Sequence, residues 1–461
     1  MPAAQSARPT LGSAMDGSAF FRAASGESES RYQVSHVIGR GSYGTVCAAV
    51  DRRTGENVAI KHIDRVFADK ADTVRIIREL RFLRHLKHPN IVTITDVLLP
   101  STTASFDDIY IVFELLDTDL GHMIRSKTSY GEPHRQWLLY QLLAGIKHIH
   151  AAGVFHRDLK PANLLLNVEC DLKICDFGLA RADYPGQKQT VFWTDYIATR
   201  WYRAPELICS YFTKYTTAID VWAVGCIFAE LVLRRPLFPG RDVFHQLDLI
   251  TDLLGKPTAE EIEKVRSEKA RKYLSAMPPK PKRSLVALCQ GADPLAVHLL
   301  SRMLCFDPAN RISAAEAMQH DYFAKFRAVA REPPPPSPLA KEDFVFEKQF
   351  RVLSTEVLRD LLLKEILVYH PDYDAEAAYR GTAESEVHSQ VQELQRGVGV
   401  SAGPTSLPME RTSGLVEQAA AAAARPGAAI RRADSATNLT GMDESTTPRE
   451  AGTVDRDLEY A

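Results

Sequence analysis

The sequence predicts an α+β protein of two lobes, a small β-rich one followed by a larger helical one, with a cleft between them. Two observations carry this. Between residues 32 and 61, apolar and polar positions alternate around glycines, the period-two pattern of antiparallel strands and turns. Beyond about residue 134 the apolar residues gather into long runs at helical spacing. Strands that precede a block of helices pack as separate layers with a seam between them.

Taken in order, residues 1–31 are small, polar and aperiodic and read as a disordered segment. After the strands of 32–61, Val74, Ile77, Leu80 and Leu83 recur every three positions and mark one face of a helix. Residues 91–99 and 109–115 read as further strands, and helices are predicted over 134–151, 218–233, 242–254 and 294–304. Pro333–Pro336, followed by Ser337 and Pro338, form a stiff extended connector. Residues 341–371 become apolar and periodic again. From about residue 376 the chain is Ala, Ser, Thr, Glu and Arg in no regular order, and its alanine run 419–424 is too short for a stable isolated helix. The division is therefore 1–31 disordered, 32–323 the folded domain, 324–375 an extension and 376–461 a low-complexity tail.

Composition narrows the partners. The net charge of −2 over 461 residues gives no global reason to bind nucleic acid or an anionic membrane. The longest apolar run, Val221 to Leu233, is too short for a bilayer and contains Glu230. The N-terminal stretch has no secretory apolar core, and Asp16, Glu27 and Glu29 count against a transit segment. Seven scattered cysteines read as reduced thiols of an intracellular chain, expected in cytoplasm and nucleus as a monomer.

Chemistry begins at Gly39-Arg40-Gly41-Ser42-Tyr43-Gly44-Thr45-Val46. Glycines let a backbone bend sharply and approach phosphate oxygens with no Cβ in the way. A similar pattern opens dinucleotide sites, but there it leads into a helix. Here Thr45 to Val50 reads as a strand, so the glycines cap a hairpin. In Val58-Ala59-Ile60-Lys61 a lysine closes an apolar strand, and alone it would read as a side chain snorkelling to solvent. Twenty-two residues after Gly39, it fits a phosphate-binding lysine, with Glu79 on the predicted helix to hold it. The denser signals are His156-Arg157-Asp158-Leu159-Lys160-Pro161-Ala162-Asn163 and Asp176-Phe177-Gly178, with Asp176 18 residues after Asp158. Phosphoryl transfer needs a base near the incoming hydroxyl and metal ions that neutralise phosphate charge. Asp158 suits the base or positioning role and Lys160 the γ-phosphate, while Asn163 and Asp176 offer hard oxygen ligands to Mg²⁺. Each tripeptide arises by chance, but the set in this order does not.

The joint set resembles the protein kinases. That likeness implies a bilobal protein kinase fold, with ATP and Mg²⁺ as cofactors and Ser/Thr specificity from the placing of Lys160. It implies that Ile38 to Val46 cover the nucleotide and that Val46, Ala59 and Leu165 sandwich adenine, which bonds to the backbone of Glu114 and Leu116. Phe113 takes the gatekeeper position, Glu206 pairs with Arg311, Asp220 holds the catalytic loop, and Leu83, His156 and Phe177 stack. Cys175, just before Asp176, reads as a buried, inert thiol.

The segment Thr194-Asp195-Tyr196, running on to Ala204-Pro205-Glu206, is similar to the mitogen-activated protein kinases, in a form most like a branch of plants, algae and some protists. This likeness spans 32–371, including an insert near 256–288 and Leu363 to Pro371, similar to an extension that packs on the small lobe. It implies an upstream dual-specificity MAP kinase kinase that phosphorylates Thr194 and Tyr196, opposing phosphatases, and protein substrates with proline after the target Ser or Thr. It also implies that phosphorylated Thr194 meets Arg78, Arg157 and Arg181, and phosphorylated Tyr196 meets Arg200 and Arg203. Ser337 and Thr447 are each followed by proline, and Pro335 makes Ser337 an expected autophosphorylation site. One departure stands out: 326–332 is net basic where many family members carry an acidic docking cluster. A cyclin-dependent kinase is disfavoured by Arg75 to Leu80 and the Thr-x-Tyr pair. An inactive scaffold is disfavoured because Lys61, Asp158, Asn163 and Asp176 are all present.

Overall fold

The computed structural model describes residues 20–21, 30–41, 44–103, 105–183, 200–209, 216–327, 333–337 and 339–373. Ser42, Tyr43, Thr194, Tyr196, Pro338, Thr447 and the tail from 376 lie outside the described residues.

Five strands, β1 (Tyr32–Gly41), β2 (Gly44–Asp51), β3 (Asn57–Ile63), β4 (Ile94–Val97) and β5 (Ile109–Glu114), form an antiparallel sheet in the order β1-β2-β3-β5-β4. β1 and β2 pair from Tyr32 opposite Asp51 to Gly41 opposite Gly44, so the glycine pattern caps a hairpin. Gly44 has φ +114°, and a Cβ there would lie 1.9 Å from the His62 carbonyl oxygen, so no other residue fits. Helix α1 (Lys70–His85) starts where the Asp69 side chain accepts from Ala71 N, and it buries Val74, Ile77, Leu80 and Leu83 as their spacing predicts.

The larger lobe is built on α2 (Glu132–Ala151), α3 (Ala218–Leu233), α4 (Val243–Leu254) and α5 (Pro294–Met303). The long apolar run is α3, buried throughout from Ile219 to Leu231, which is why it lacks an amphipathic period. Its two buried carboxylates are both engaged: Glu230 accepts from Tyr202 Oη at 2.7 Å, and Asp220 serves the catalytic loop. No helix among the described residues is long and apolar enough to cross a membrane. Short strands β6 (Leu164–Leu166) and β7 (Leu172–Ile174) pair between the lobes' cores and carry the loop residues that follow.

Two segments return to the small lobe. In the extension, Phe344 stacks on Phe82 at 4.8 Å, and helix α6 (Thr355–Leu367) packs on α1. Glu365 of α6 is shared by Arg81 at 2.6 Å and Arg84 at 3.0 Å. At the other end, Phe20 and Phe21 correct the expectation of disorder at their positions. Both are buried, Tyr110 Oη donates to Phe20 O at 2.8 Å, and the rings pack against Tyr110. The physical reason is that Tyr110 stacks on His62 at 4.4 Å, an aromatic surface that two more rings can dry.

Candidate active site

Sheet register and helix packing assemble the first pair. β3 pairs Lys61 with Ile111 of β5 and Val46 of β2, and α1 carries Glu79. Lys61 Nζ donates to Glu79 Oε2 at 3.0 Å. Burial alone would push the Lys61 ammonium down, but Glu79 and Asp176 outweigh it and hold the pKa above the ordinary lysine value. The lysine is therefore a fixed cation pointed between a carboxylate of its own lobe and one of the catalytic loop region, rather than a side chain snorkelling to water.

The catalytic loop is held from beneath. Asp220 accepts from the backbone N–H groups of His156 at 2.9 Å and Arg157 at 2.8 Å, and lies 2.9 Å from His150 Nε2. Burial would raise its pKa, but His150 and these donors outweigh it, so the carboxyl stays below its ordinary range. Such anchoring matters because Arg157 has φ +71° and Asp176 φ +67°, left-handed conformations that non-glycine residues hold only when neighbours fix them. The Phe177 ring meets the His156 ring at 4.9 Å, and Leu83, His156 and Phe177 are all fully buried.

Asp158, Lys160, Asn163 and Asp176 converge. Lys160 Nζ lies 2.7 Å from Asp158 Oδ2. Asn163 Nδ2 donates to Asp158 O at 2.8 Å, Asp158 Oδ2 at 3.1 Å and Asp176 Oδ2 at 3.4 Å. The Asn163 amide thus lies against the Asp176 carboxylate, and the two side chains between them carry hard oxygen donors. That set suits Mg²⁺, which takes one or two protein oxygens and completes its shell from phosphates and water. Room for a nucleotide is consistent with the glycine hairpin: a Cβ at Gly39 or Gly41 would meet nothing within 4 Å. Val46, Ala59 and Leu165 are half-buried, and Ile38 is 46% exposed, an apolar wall left for a flat ring to cover. Arg40 is exposed and Thr45 half-buried, while Ser42 and Tyr43 lie outside the described residues. Phe113 is half-buried on β5, and the Leu116 side chain likewise. The Glu114 side chain has a role the sequence did not suggest, accepting from Thr93 N at 3.0 Å and pairing with Lys173 at 2.8 Å. Burial raises the Cys175 thiol, so it is not a ready nucleophile.

Three arginines gather next to this centre. Arg78 Nη1 donates to Gly178 O at 2.7 Å, Arg157 Nη1 to Leu179 O at 3.3 Å, and Arg181 Nη1 to Ala180 O at 2.7 Å. They converge on three successive carbonyls just past Asp176. A carboxylate from the extension reaches the same place: Glu347 accepts from Arg78 Nε and lies 4.0 Å from Arg181 Nε. Burial lowers the Arg78 pKa, as do Arg157 and Arg75, although Glu347 opposes them. Sequence reasoning missed Glu347, a single Glu in a periodic segment. The segment that starts at Arg200 is also anchored: Arg200 Nη1 donates to Arg241 O at 3.0 Å and Trp201 Nε1 to Gly240 O at 3.2 Å, and Arg203 follows at the edge of the catalytic loop. Glu206 and Arg311 form the expected pair, fully buried and bidentate at 2.5 and 2.7 Å.

Comparison with known proteins places this geometry. The protein kinase domain family matches residues 32–323. The chain is 50% identical over 387 residues to mitogen-activated protein kinase 17 of Oryza sativa subsp. japonica, covering 83% of this chain and 66% of that one. It is 52% identical over 342 residues to mitogen-activated protein kinase 16 of the same organism, covering 74% and 68%. Against mitogen-activated protein kinase 19 of Arabidopsis thaliana it is 52% identical over 344 residues, covering 74% and 56%. The chain thus spans between 56% and 68% of the length of these relatives. With a matched domain over more than half its length and the catalytic residues in contact, the chain belongs to the protein kinases and, among them, to the mitogen-activated protein kinases.

Proposed function

We propose that this chain transfers the γ-phosphate of ATP to Ser or Thr followed by proline in protein substrates, and that phosphorylation of Thr194 and Tyr196 switches it on. The observation that supports this most is the meeting of Asp158, Asn163 and Asp176 next to a Lys61 that Glu79 already holds. Asp158 orients the substrate hydroxyl and takes its proton, Lys160 steadies the transferring phosphoryl group, and Lys61 steadies the phosphates behind it. Mg²⁺ on Asn163 and Asp176 supplies charge neutralisation at those phosphates.

The switch follows from the arginine cluster. A phosphate adds about −1.5 to −2 charges and three acceptor oxygens. On Thr194 it would pair with Arg78, Arg157 and Arg181, in competition with Glu347. On Tyr196 it would pair with Arg200 and Arg203. An upstream dual-specificity MAP kinase kinase would write both marks and phosphatases remove them, with the chain acting as a monomer in cytoplasm and nucleus. The test is transfer from Mg²⁺-ATP to a Ser-Pro peptide and to its Ser-Ala twin, after treatment with an activating kinase. Strong transfer to the first and little to the second supports the reading. Equal rates for the two peptides remove proline direction, and no transfer to either removes the enzyme.

A further inference from the structure

Away from the catalytic centre lies a second cavity of about 630 Å³, between α2, the loop after α1, and the proline strap Pro333–Pro336. Trp137, Tyr140, His88 and His148 supply much of its wall. The two histidine rings are 4.9 Å apart. His148 is 7% exposed, and its Nε2 has no hydrogen-bond partner. Burial, His148 and Lys173 push His88 down to about 4, and burial and His85 lower His148. Burial and Arg84 lower Lys87. On α6, Glu365 is shared by Arg81 and Arg84. The end of α1 carries Arg81, Arg84 and His85, with Lys87 just beyond.

The strap runs into this cluster. His85 Nε2 and the Ser337 carbonyl oxygen are 2.6 Å apart, so the ring donates there. Ser337 itself is exposed and outside any helix or strand, with Pro335 two positions before it and Pro338 directly after it. It therefore meets the requirement that the proposed function sets for a target: a reachable hydroxyl outside regular structure, with proline next.

We propose that Ser337 is a phosphorylation site of this kinase and that its phosphate is held by His85, pinning the proline strap to the end of α1. The proposal rests on the proline-directed reading above. In the step, Ser337 Oγ bonds to the γ-phosphorus of ATP while the bond to the β,γ-bridging oxygen breaks. ADP leaves with that electron pair, and the hydroxyl proton passes to the Asp158 carboxylate. The C-terminal dipole of α1 weakly opposes an anion. The hydrogen bond that His85 offers outweighs it, because hydrogen bonds to an ionised group are the stronger kind. The consequence is a mark that ties the extension to the helix carrying Glu79.

The experiment uses the full chain after activation, given Mg²⁺-ATP and mapped by mass spectrometry, with a Ser-Pro peptide assayed in parallel. Phosphate is expected on Ser337 and absent in S337A, while S337A still phosphorylates the peptide at the wild-type rate. Peptide transfer without phosphate on Ser337 overturns this proposal and leaves the kinase reading standing. Failure of both takes the kinase reading down first. Phosphorus NMR then reads the receptor: the phosphoserine should titrate below its usual value of about 6 and return toward it in His85→Ala. A phosphoserine that titrates at the usual value in both proteins overturns the receptor.

Discussion

Arg78 and Glu79 are neighbours on one helix, both buried, and they answer to opposite ends of the chain. Glu79 holds Lys61, 18 residues away in the same lobe. Arg78 holds Glu347, 269 residues away in the extension. The first contact needs only the sheet register and the helix packed on it. The second needs the whole larger lobe and the return of the extension to α1. The catalytic pair is thus built locally and is complete in this chain as it stands, whereas the arginine cluster is closed by a carboxylate that, on the proposed switch, a phosphate would replace. One helix couples the two, so a change of partner at Arg78 bears on the position of Glu79.

The comparison breaks most visibly at the catalytic end. Asp158→Asn should lower kcat by about 10²- to 10⁴-fold, the usual loss of a positioned base, with the arginine cluster untouched. Steady-state kinetics beside a thermal unfolding curve checks this. A variant with near-normal kcat would deny Asp158 its role.

At the other end, Glu347→Ala should destabilise the unphosphorylated chain by about 1.5–3 kcal/mol, the worth of a hydrogen bond to a charged group. After phosphorylation of Thr194 the loss should shrink, because the phosphate takes over the arginines. Denaturant unfolding of both forms measures it, and equal losses would mean that Glu347 and the phosphate do not compete.

The smallest effect is in acid. The Asp220 carboxyl is held below its ordinary value, so its stabilisation is present above about 3.9 and fades as pH falls through the lowered folded value. Asp220→Asn has no such titration, so its stability should fall less steeply across that window. Thermal midpoints from about pH 5 downward would show it, and parallel slopes would separate Asp220 from the acid limb.

Much of this was legible in the sequence because it is short-range. The spacing of Val74, Ile77, Leu80 and Leu83 predicts α1, and Asp158, Lys160, Asn163 and Asp176 fall within the 21 positions from His156 to Asp176. Asp220 and the Glu206–Arg311 pair followed from the family likeness. Glu347 did not, since nothing in its neighbourhood distinguishes it until the extension is folded onto α1. Phe20 and Phe21 were hidden in the same way: two rings in a polar stretch acquire a place only when Tyr110 and His62 present a face for them. The Glu114–Lys173 pair depends on strand register and a loop that spacing does not fix. Thr194 and Tyr196 were read from sequence and lie outside the described residues.

The most direct test of the central claim is the activity of a Thr194→Ala/Tyr196→Phe variant after treatment with a dual-specificity activating kinase. The account predicts that the wild-type chain gains Ser-Pro peptide transfer sharply as both residues acquire phosphate, and that the variant stays at its untreated level. A variant that reaches the full induced rate would contradict it.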